Sequence, residues 1–464
     1  MRSTGSVASQ LAAKLWRGRE AIDRVARHAP ARLAILVFGG VILLFTALLL
    51  LPMATATGER ADFIDALFTA TSAVCVTGLV TVPTGVYWST FGQAIIIIAV
   101  KIGGLGVMTL ASILGLAVSR RLGLTARLMT ASETKTTRLG EVGSLIRVVI
   151  ITSTTLEVLL AVLLAPRFLY LHESPGEAAW HSIFYAISAF NNAGFVPTAE
   201  GLTTHYSDWM LLLPIMLGMF VGSLGFPVIL NVARNKSKFR RWSLHAKLTV
   251  TTSAFLVLMG SLWFTLAEWS NPDTLGPMGW ADKLLNGAFL GVMPRSGGMS
   301  TIDIGSLNEA SWLVTDALMF VGGGSASTAG GIKVSTLAVL MLAIVAEARG
   351  DKDTDAFGFR IPRDTLRQAV AVTFVGATTI LVACLILLRI SGFNLDVVLF
   401  EVISAFGTVG LSTGITDQLP VSGQYVLVAL MFVGRVGTMT LGAALALRSR
   451  RRVIRLPEER PIIG

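Results

Sequence analysis

One ten-residue frame returns along this chain at nearly even intervals, each time beside long apolar stretches. Phe68, Ser72 and Gly78 stand in FTATSAVCVTG, and the spacing recurs with Phe184, Ser188 and Gly194 in FYAISAFNNAG and with Phe400, Ser404 and Gly410 in FEVISAFGTVG. A looser copy, FLGVMPRSGG, places Phe289 nine residues before Gly298. The four glycines are 116, 104 and 112 residues apart, so the chain reads as four copies of one unit. Four such loops in one polypeptide are enough to surround a single pathway.

Hydrophobic residues make up 53% of the chain and charged ones 14%, against about 25% charged in ordinary soluble domains. With a mean hydropathy of +0.70, this is an integral membrane protein. Apolar stretches long enough to span a bilayer lie at 33–53, 91–118, 146–166, 209–232, 247–268, 311–346, 368–390 and 424–447. The expectation is therefore an all-α membrane fold with eight transmembrane spans, two in each of four tandem helix, pore-helix, filter-loop, helix repeats around one pore. The repeats occupy 33–118, 143–233, 246–346 and 366–447, between a basic amphipathic N-terminus at 1–32 and a basic tail at 448–464.

Thirty of the 38 Lys and Arg fall in 1–32, 119–147, 234–247, 346–367 and 448–464, which are the two termini and every second connection. The positive-inside rule makes these segments cytoplasmic, so the four loops enter from outside. The net charge of +10 thus reports topology and contact with anionic lipid rather than nucleic acid. Both termini are expected to be cytoplasmic, with the inner, cytoplasmic membrane as the expected location. Cys75 and Cys384 stand in apolar surroundings on different repeats, which argues against a disulfide or a metal site.

The short segments 65–74, 181–190, 283–292 and 397–405 are too short to span and must be re-entrant. Irregular backbone at membrane depth survives only where protein buries it or it lines a watery cavity, so the loops that follow must face inward together. Those loops are VTGL at 76–79, NAGF at 192–195, SGGM at 296–299 and TVGL at 408–411. None carries a carboxylate. A cation would be held by backbone carbonyls, which replace its hydration shell, and glycine allows the backbone to aim them without a side chain in the path. The candidate filter is Val76, Thr77 and Gly78; Asn192, Ala193 and Gly194; Ser296, Gly297 and Gly298; and Thr408, Val409 and Gly410. Potassium at these carbonyls is the expected bound metal. A single VTGL is more often an ordinary turn; four copies, each followed after 23 to 27 residues by IGGLG, VGSLG, VGGGS or VGRVG, are not.

The third inner segment is interrupted by Gly322, Gly323, Gly324, Ser325, Ala326, Ser327, Thr328, Ala329, Gly330 and Gly331. Five glycines in ten positions, each costing about 1 kcal/mol relative to alanine in a helix, break it. A phosphate loop is the rival reading, but Ile332 separates Gly331 from Lys333 and the context is membrane. Arg435 stands where the other repeats have Gly104, Ser223 and Gly323. An arginine at that depth costs roughly 2.5 to 3.5 kcal/mol on insertion scales and is functional by default. It is expected to face the broken segment, whose carbonyls hold it as a barrier in the path; a purely structural tie is the alternative. Lys101 is expected either in the cavity beside Arg435 or away from it, snorkelling or paired within the bundle, while Arg295 is expected to brace the filter from behind by donating to loop carbonyls. Glu157 and Glu401 are candidate buried partners for these cations.

From about residue 33 onward the chain resembles the superfamily of Trk, Ktr and HKT potassium transporters, on SAVCVTGL at 72–79, NNAGF at 191–195, STAGGIK at 327–333, FGTVGLSTGIT at 406–416 and FVGRVGTMT at 432–440. Eight spans make it most similar to the Ktr-type membrane subunit, KtrB. The resemblance implies a homodimer with one pore per subunit, a gating loop at 322–331, and a cytoplasmic nucleotide-binding RCK ring as regulator, so nucleotide acts only through that partner and this chain holds no cofactor of its own. Gly78 is similar to the potassium-selective members, those with serine tending toward sodium. Lys101 replaces the usual Gln before IGGLG, and RSGGM at 295–299 replaces the usual RTAGF; both bear on selectivity.

The function that follows is potassium uptake through a pore driven by the membrane potential, which supplies about 2.3 kcal/mol per charge per 100 mV. A less selective sodium and potassium translocator is one alternative. A secondary transporter is another, and would need inverted repeats with corresponding breaks in both halves. A membrane enzyme would need a clustered active site, and the five histidines are scattered over loops and span edges.

Overall fold

The computed structural model describes residues 30–121, 141–171, 174–236 and 238–437. The basic N-terminal amphipathic segment and the basic C-terminal tail lie outside the described residues, as does most of the basic connection around 122–140.

The helices are α1 (Pro30–Leu49), α2 (Phe63–Cys75), α3 (Thr90–Arg121), α4 (Glu141–Tyr170), α5 (Pro175–Asn191), α6 (Trp209–Leu224), α7 (Phe226–Asn235), α8 (Leu244–Ala267), α9 (Trp280–Val292), α10 (Glu309–Phe320), α11 (Val334–Arg349), α12 (Arg363–Ser391), α13 (Leu395–Gly407) and α14 (Val421–Phe432), the last running into a π-helical turn at Val433–Gly437. Among the described residues, the one departure from an all-α fold is a hairpin, β1 (Thr354–Ala356) with antiparallel β2 (Phe359–Ile361). Its two-residue turn has both Phe357 and Gly358 at positive φ, the twist that suits a tight hairpin. Lys247 sits over the rings of Phe239, Phe357 and Phe359 and fastens the hairpin to the start of α8.

The arrangement of polarity is the reverse of a soluble domain. Val158, Leu159, Val162 and Leu163 on α4, Phe255, Leu258 and Leu262 on α8, and Phe374, Leu381 and Leu385 on α12 are all exposed. Thr69, Thr71, Ser72, Ser188, Asn191, Glu401, Ser404 and Arg435 are buried. Apolar faces of this extent suit hydrocarbon, not water, and polar groups gather where backbone leaves regular structure and needs partners.

Among the described residues, three helices cross-qualify by length and hydropathy: Ile146–Tyr170, Leu244–Ala267 and Arg363–Ser391. The stretch at 209–232 is a broken pair, Trp209–Leu224 and Phe226–Asn235, bent by 101° at Gly225. The stretch at 311–346 is likewise two helices, α10 and α11, parted by the glycine-rich segment as its composition requires. Ile35–Leu49, Thr90–Gly106 and Val421–Gly437 are shorter apolar helices. Two inner segments are therefore interrupted, where the sequence pattern singled out one long break.

The four short helices are longer than the 65–74, 181–190, 283–292 and 397–405 windows because their first turns project beyond the apolar pattern. α5 begins with a capping box in which the Ser174 hydroxyl accepts from the Glu177 amide and the Glu177 carboxylate accepts from the Ser174 amide, with Pro175 in the first turn. Each short helix then sinks into buried surroundings toward its C-terminus.

Candidate functional site

Three short helices stop in the same way. Val76 after α2, Asn192 after α5 and Thr408 after α13 adopt the left-handed conformation, with φ of 57°, 56° and 47°. Their amides return to Ala73, Ala189 and Ala405, and the next amides, on Thr77, Ala193 and Val409, return to the carbonyls of Ser72, Ser188 and Ser404. A β-branched Val or Thr at positive φ is strained, a feature concentrated at functional sites. It turns the chain sharply upward out of the helix. The frame serines then hold the rising strand: Ser72 Oγ accepts from the Gly78 amide at 3.0 Å, Ser404 Oγ from the Gly410 amide at 3.2 Å, and Ser188 Oγ donates to Phe195 O at 2.7 Å. The recurrent serine is thus the loop's own brace.

The third loop lacks that serine and is held otherwise. Ser296, at φ 87°, donates from its hydroxyl to Thr408 O at 2.9 Å, which ties it to the fourth loop. Arg295 does not reach loop carbonyls as its position suggested. Its guanidinium donates to the carbonyl and hydroxyl of Ser253 on α8, at 3.1 and 3.0 Å. The Arg295 and Gly297 amides return to Val292 O and Met293 O at the end of α9, and the arginine side chain braces this corner against the outer helix.

The four frame glycines meet in a closed ring. A Cβ built on Gly78 would lie 2.5 Å from Ala193 O and 2.9 Å from Gly194 Cα; on Gly194, 3.1 Å from Gly298 Cα; on Gly298, nearest Val409 O and then Gly194 and Gly410; on Gly410, nearest Thr77 O and then 3.0 Å from Gly78 Cα. In every case the nearest atom belongs to the following loop, and the fourth returns to the first. All four are at positive φ, between 68° and 97°. A side chain at any of them meets backbone of its neighbour, and no acidic group contributes to the ring. The carbonyl oxygens of Ala193, Val409 and Thr77 are the atoms that a Cβ on Gly78, Gly298 or Gly410 would meet first, and these loops follow the C-terminal, partially negative ends of α2, α5 and α13.

Beneath the ring lies the interrupted segment, and it is pinned on every side. Gly322 N donates to Ile332 O and Val334 N to Gly323 O, closing its base. Gly324 N reaches Ser223 O at 2.7 Å, and Phe226 N reaches Ala326 O at 3.3 Å, so the bend at Gly225 grips it. Thr328 is the hub. Its hydroxyl lies 2.7 Å from the Asn192 amide and 3.1 Å from Gly222 O, and its carbonyl accepts from Arg435 Nη1. Gly330 N donates to Ser296 Oγ at 3.4 Å, and Lys333 Nζ donates to Ala329 O at 2.6 Å and Gly330 O at 3.3 Å.

Inner-helix glycines allow this approach. A Cβ on Gly103, Gly222 or Gly434 would overlap the carbonyl of Val74, Phe190 or Phe406, in each case four residues before a ring glycine. At Gly322 the overlapping carbonyl is Gly330 O, from the interrupted segment itself.

The remaining charges separate cleanly. Lys101 is paired within the bundle, not in the cavity beside Arg435: Nζ is 2.5 Å from Glu157 Oε2 and 3.2 Å from Ser153 Oγ, and Asn191 Nδ2 donates to Glu157 Oε1 at 2.8 Å. Glu401 partners no cation among the described residues. It accepts from the Ser412 hydroxyl, from Thr413 N at 3.1 Å and from Thr416 Oγ1 at 3.0 Å, and so fixes the chain leaving the fourth loop. Arg435 is fully buried, with Nε and Nη2 unpartnered among the described residues. Cys75 and Cys384 are buried and free.

Residues 42–450 match the TrkH family, described as a cation transport protein. The chain belongs to that family. It is a membrane transport protein and not an enzyme. It is 34% identical over 446 residues to the Ktr system potassium uptake protein B of Bacillus subtilis, covering 96% of this chain and 99% of that one. It is 33% identical over 460 residues to the potassium/sodium uptake protein NtpJ of Enterococcus hirae, covering 97% and 99%. The crystal structure of the potassium transporter TrkH from Vibrio parahaemolyticus has the same fold, with a TM-score of 0.72 at 16% identity over 89% of this chain and 84% of that one.

The bend at Gly225 is the feature of the site that composition and motif spacing did not single out; Thr328 was placed in the interrupted segment, but not as its hub. The dipeptide Phe226–Pro227 carried the first signal, since proline fits the first turn of a new helix. Nothing local marks Thr328 as the hub, because its partners come from three distant segments.

Proposed function

We propose that this chain carries potassium into the cell across the inner membrane, through one pore encircled by its four loops and driven by the membrane potential. The observation that supports this most is the one-sense cycle of Gly78, Gly194, Gly298 and Gly410, which is what four repeats rotated about a single axis produce. Inverted halves of a secondary transporter relate by an axis in the membrane plane, and would not hand each loop on to the next in chain order. The fold is then eight membrane crossings with both termini cytoplasmic, two of the crossings interrupted.

A dehydrated monovalent cation fits a ring with carbonyls and no carboxylate. Thr77, Ala193, Val409 and their counterparts in the third loop supply the oxygens. Residues 322–331 and Arg435 form the gate, a positive charge and a peptide plug below the ring. The names of the Bacillus subtilis relatives, parts of a Ktr system, support a partner subunit. The proposed assembly is a homodimer on a cytoplasmic RCK ring, through which nucleotide acts on the gate. Reduced selectivity is a second reading, favoured by the Enterococcus hirae relative named for both ions and by the RSGGM loop.

The test is uptake into liposomes under an imposed inside-negative potential, comparing potassium, rubidium and sodium for the native chain and Arg435→Ala. Potassium and rubidium in preference to sodium support the proposal. Equal sodium uptake moves the reading to the less selective translocator. An inactive native chain with an active variant supports the gate, and inactivity of both rejects a potential-driven pore.

A further inference from the structure

Between α10 and α13, away from the glycine ring, lies a pocket of about 360 Å³ lined by Glu309, Trp312, Leu313, Asp316, Leu395, Asp396 and Leu399. Its floor holds Asp316, 6% exposed, whose Oδ1 is buried with no hydrogen-bond partner among the described residues. A carboxylate oxygen buried without a partner among the described residues is an expensive thing to keep in an apolar bundle. Two further carboxylates, Glu309 in the first turn of α10 and Asp396 in the first turn of α13, stand exposed at the rim. Trp312, Leu313, Leu395 and Leu399 supply the apolar part of the lining, with Leu313 and Leu395 on its exposed side. No basic residue lines it.

We propose that this pocket binds an aliphatic diammonium ion, with one ammonium on Asp316 and the other at the Glu309 and Asp396 rim. Each part of the lining fits one part of such a ligand. The floor carboxylate requires a donor that can follow it into a buried site, and an ammonium supplies three. The apolar walls match methylene groups and give a bare inorganic ion little to coordinate. Among the described residues no group of three His, Cys, Asp or Glu side chains is placed to chelate a metal, which sets divalent cations aside. An anionic headgroup is disfavoured by acids at both ends. Glu309 and Asp316 are seven residues apart on one helix, roughly 10 Å along its axis, which a chain of roughly five methylene groups bridges once both carboxylates lean inward.

The pocket is placed to affect transport. Asp316 is four residues before Phe320, the last residue of α10, and the segment at 322–331 follows directly. Leu395, Asp396 and Leu399 begin the helix that ends at Gly407, beside Thr408. An occupant therefore holds together the two helices that lead into the interrupted segment and into the fourth loop.

The experiment is calorimetric titration of the purified full-length protein in detergent with cadaverine, pentylamine and potassium chloride in turn. Cadaverine is expected to bind, with pentylamine weaker. Asp316→Asn should weaken cadaverine by about tenfold or more, as loss of a buried pair requires, and Glu309→Gln by roughly two- to fivefold, the effect of an exposed pair. Glu309 lies at the exposed rim, so that variant keeps the test decisive even where Asp316→Asn fails to fold. Equal affinity for pentylamine and cadaverine would overturn the two-headed ligand. Potassium chloride alone producing the same Asp316-dependent heat would make this an inorganic cation site. Absence of cadaverine binding to the native protein would reject the proposal outright.

Discussion

Arg435 donates to the main-chain carbonyl of Thr328, a residue 107 positions away and in the middle of the interrupted segment. The contact joins the only charged position of the VGRVG turn to the hub of the gate, and it is made by one nitrogen of a guanidinium whose other two are idle among the described residues. A buried arginine so sparsely satisfied is held by the rest of the fold rather than by this bond. Removing it should release the segment. A hydrogen bond from a charged donor contributes about 1.5 to 3 kcal/mol, so Arg435→Ala should raise rubidium uptake into liposomes by about tenfold or more. Arg435→Lys, too short to keep the same reach, should fall between. Unchanged flux with a lowered melting temperature would make the arginine a structural tie only.

The ring makes a sharp distinction between two glycines that both sit at positive φ. Gly78, at φ 95°, has Ala193 O within 2.5 Å of a built Cβ, whereas Gly58, at φ 75°, has nothing within 4 Å. Gly58→Ala should therefore cost about 1 kcal/mol, the conformational penalty alone. Gly78→Ala should add about 1 to 3 kcal/mol of overpacking and lower the ratio of potassium to sodium uptake. Melting temperature and ion competition in liposomes read both effects. Equal behaviour of the two variants would mean that the ring is looser than the contacts indicate.

The Lys101–Glu157 pair answers a question of selectivity with one of stability. The lysine before IGGLG is occupied by Glu157 and Ser153, away from the ring. Lys101→Met leaves a buried carboxylate with Asn191 as its remaining partner, and should cost about 3 kcal/mol, toward the low end for breaking a buried pair because the lysine is partly exposed. Adding Glu157→Gln should recover most of that loss. Through both steps the rubidium-to-sodium ratio should stay constant. A changed ratio in the single variant would return Lys101 to the ion path.

These residues differ in how far a reading of the chain alone could place them. Ser72 and Gly78, like Ser404 and Gly410, do their work within six residues of each other, so the recurrence of the frame exposed the loop and kept its serine in view, although the serine's bracing role came only from the structure. The break at 322–331 was equally plain, because five glycines act on the local backbone. Arg295 and Glu401 were misassigned because their partners, Ser253 and the 412–416 turn, depend on which helices pack beside them. Gly225 was missed for the same reason. VGSLG and IGGLG look alike, yet Gly106 continues a helix while Gly225 ends one, and the difference lies in Ala326 O and Gly324 N, which come from the interrupted segment.

That pair of glycines supplies the last prediction. A Cβ on Gly225 would lie 2.6 Å from Ser325 O and 3.2 Å from Ala326 C, both backbone atoms of the gate, and φ there is 91°. On Gly106 the nearest atom is the Phe38 ring at 3.4 Å, an ordinary contact in a continuous helix. Gly106→Ala should thus be neutral or stabilising by up to about 1 kcal/mol. Gly225→Ala should push Ser325 and Ala326 aside, at about 1 to 3 kcal/mol of overpacking on top of the backbone penalty, and raise basal rubidium leak. Combined with Arg435→Ala, its effect on flux should be less than additive, since both release the same segment. Full additivity would mean that the bend and the arginine hold the gate independently, and a silent Gly225→Ala would separate the second interrupted helix from gating.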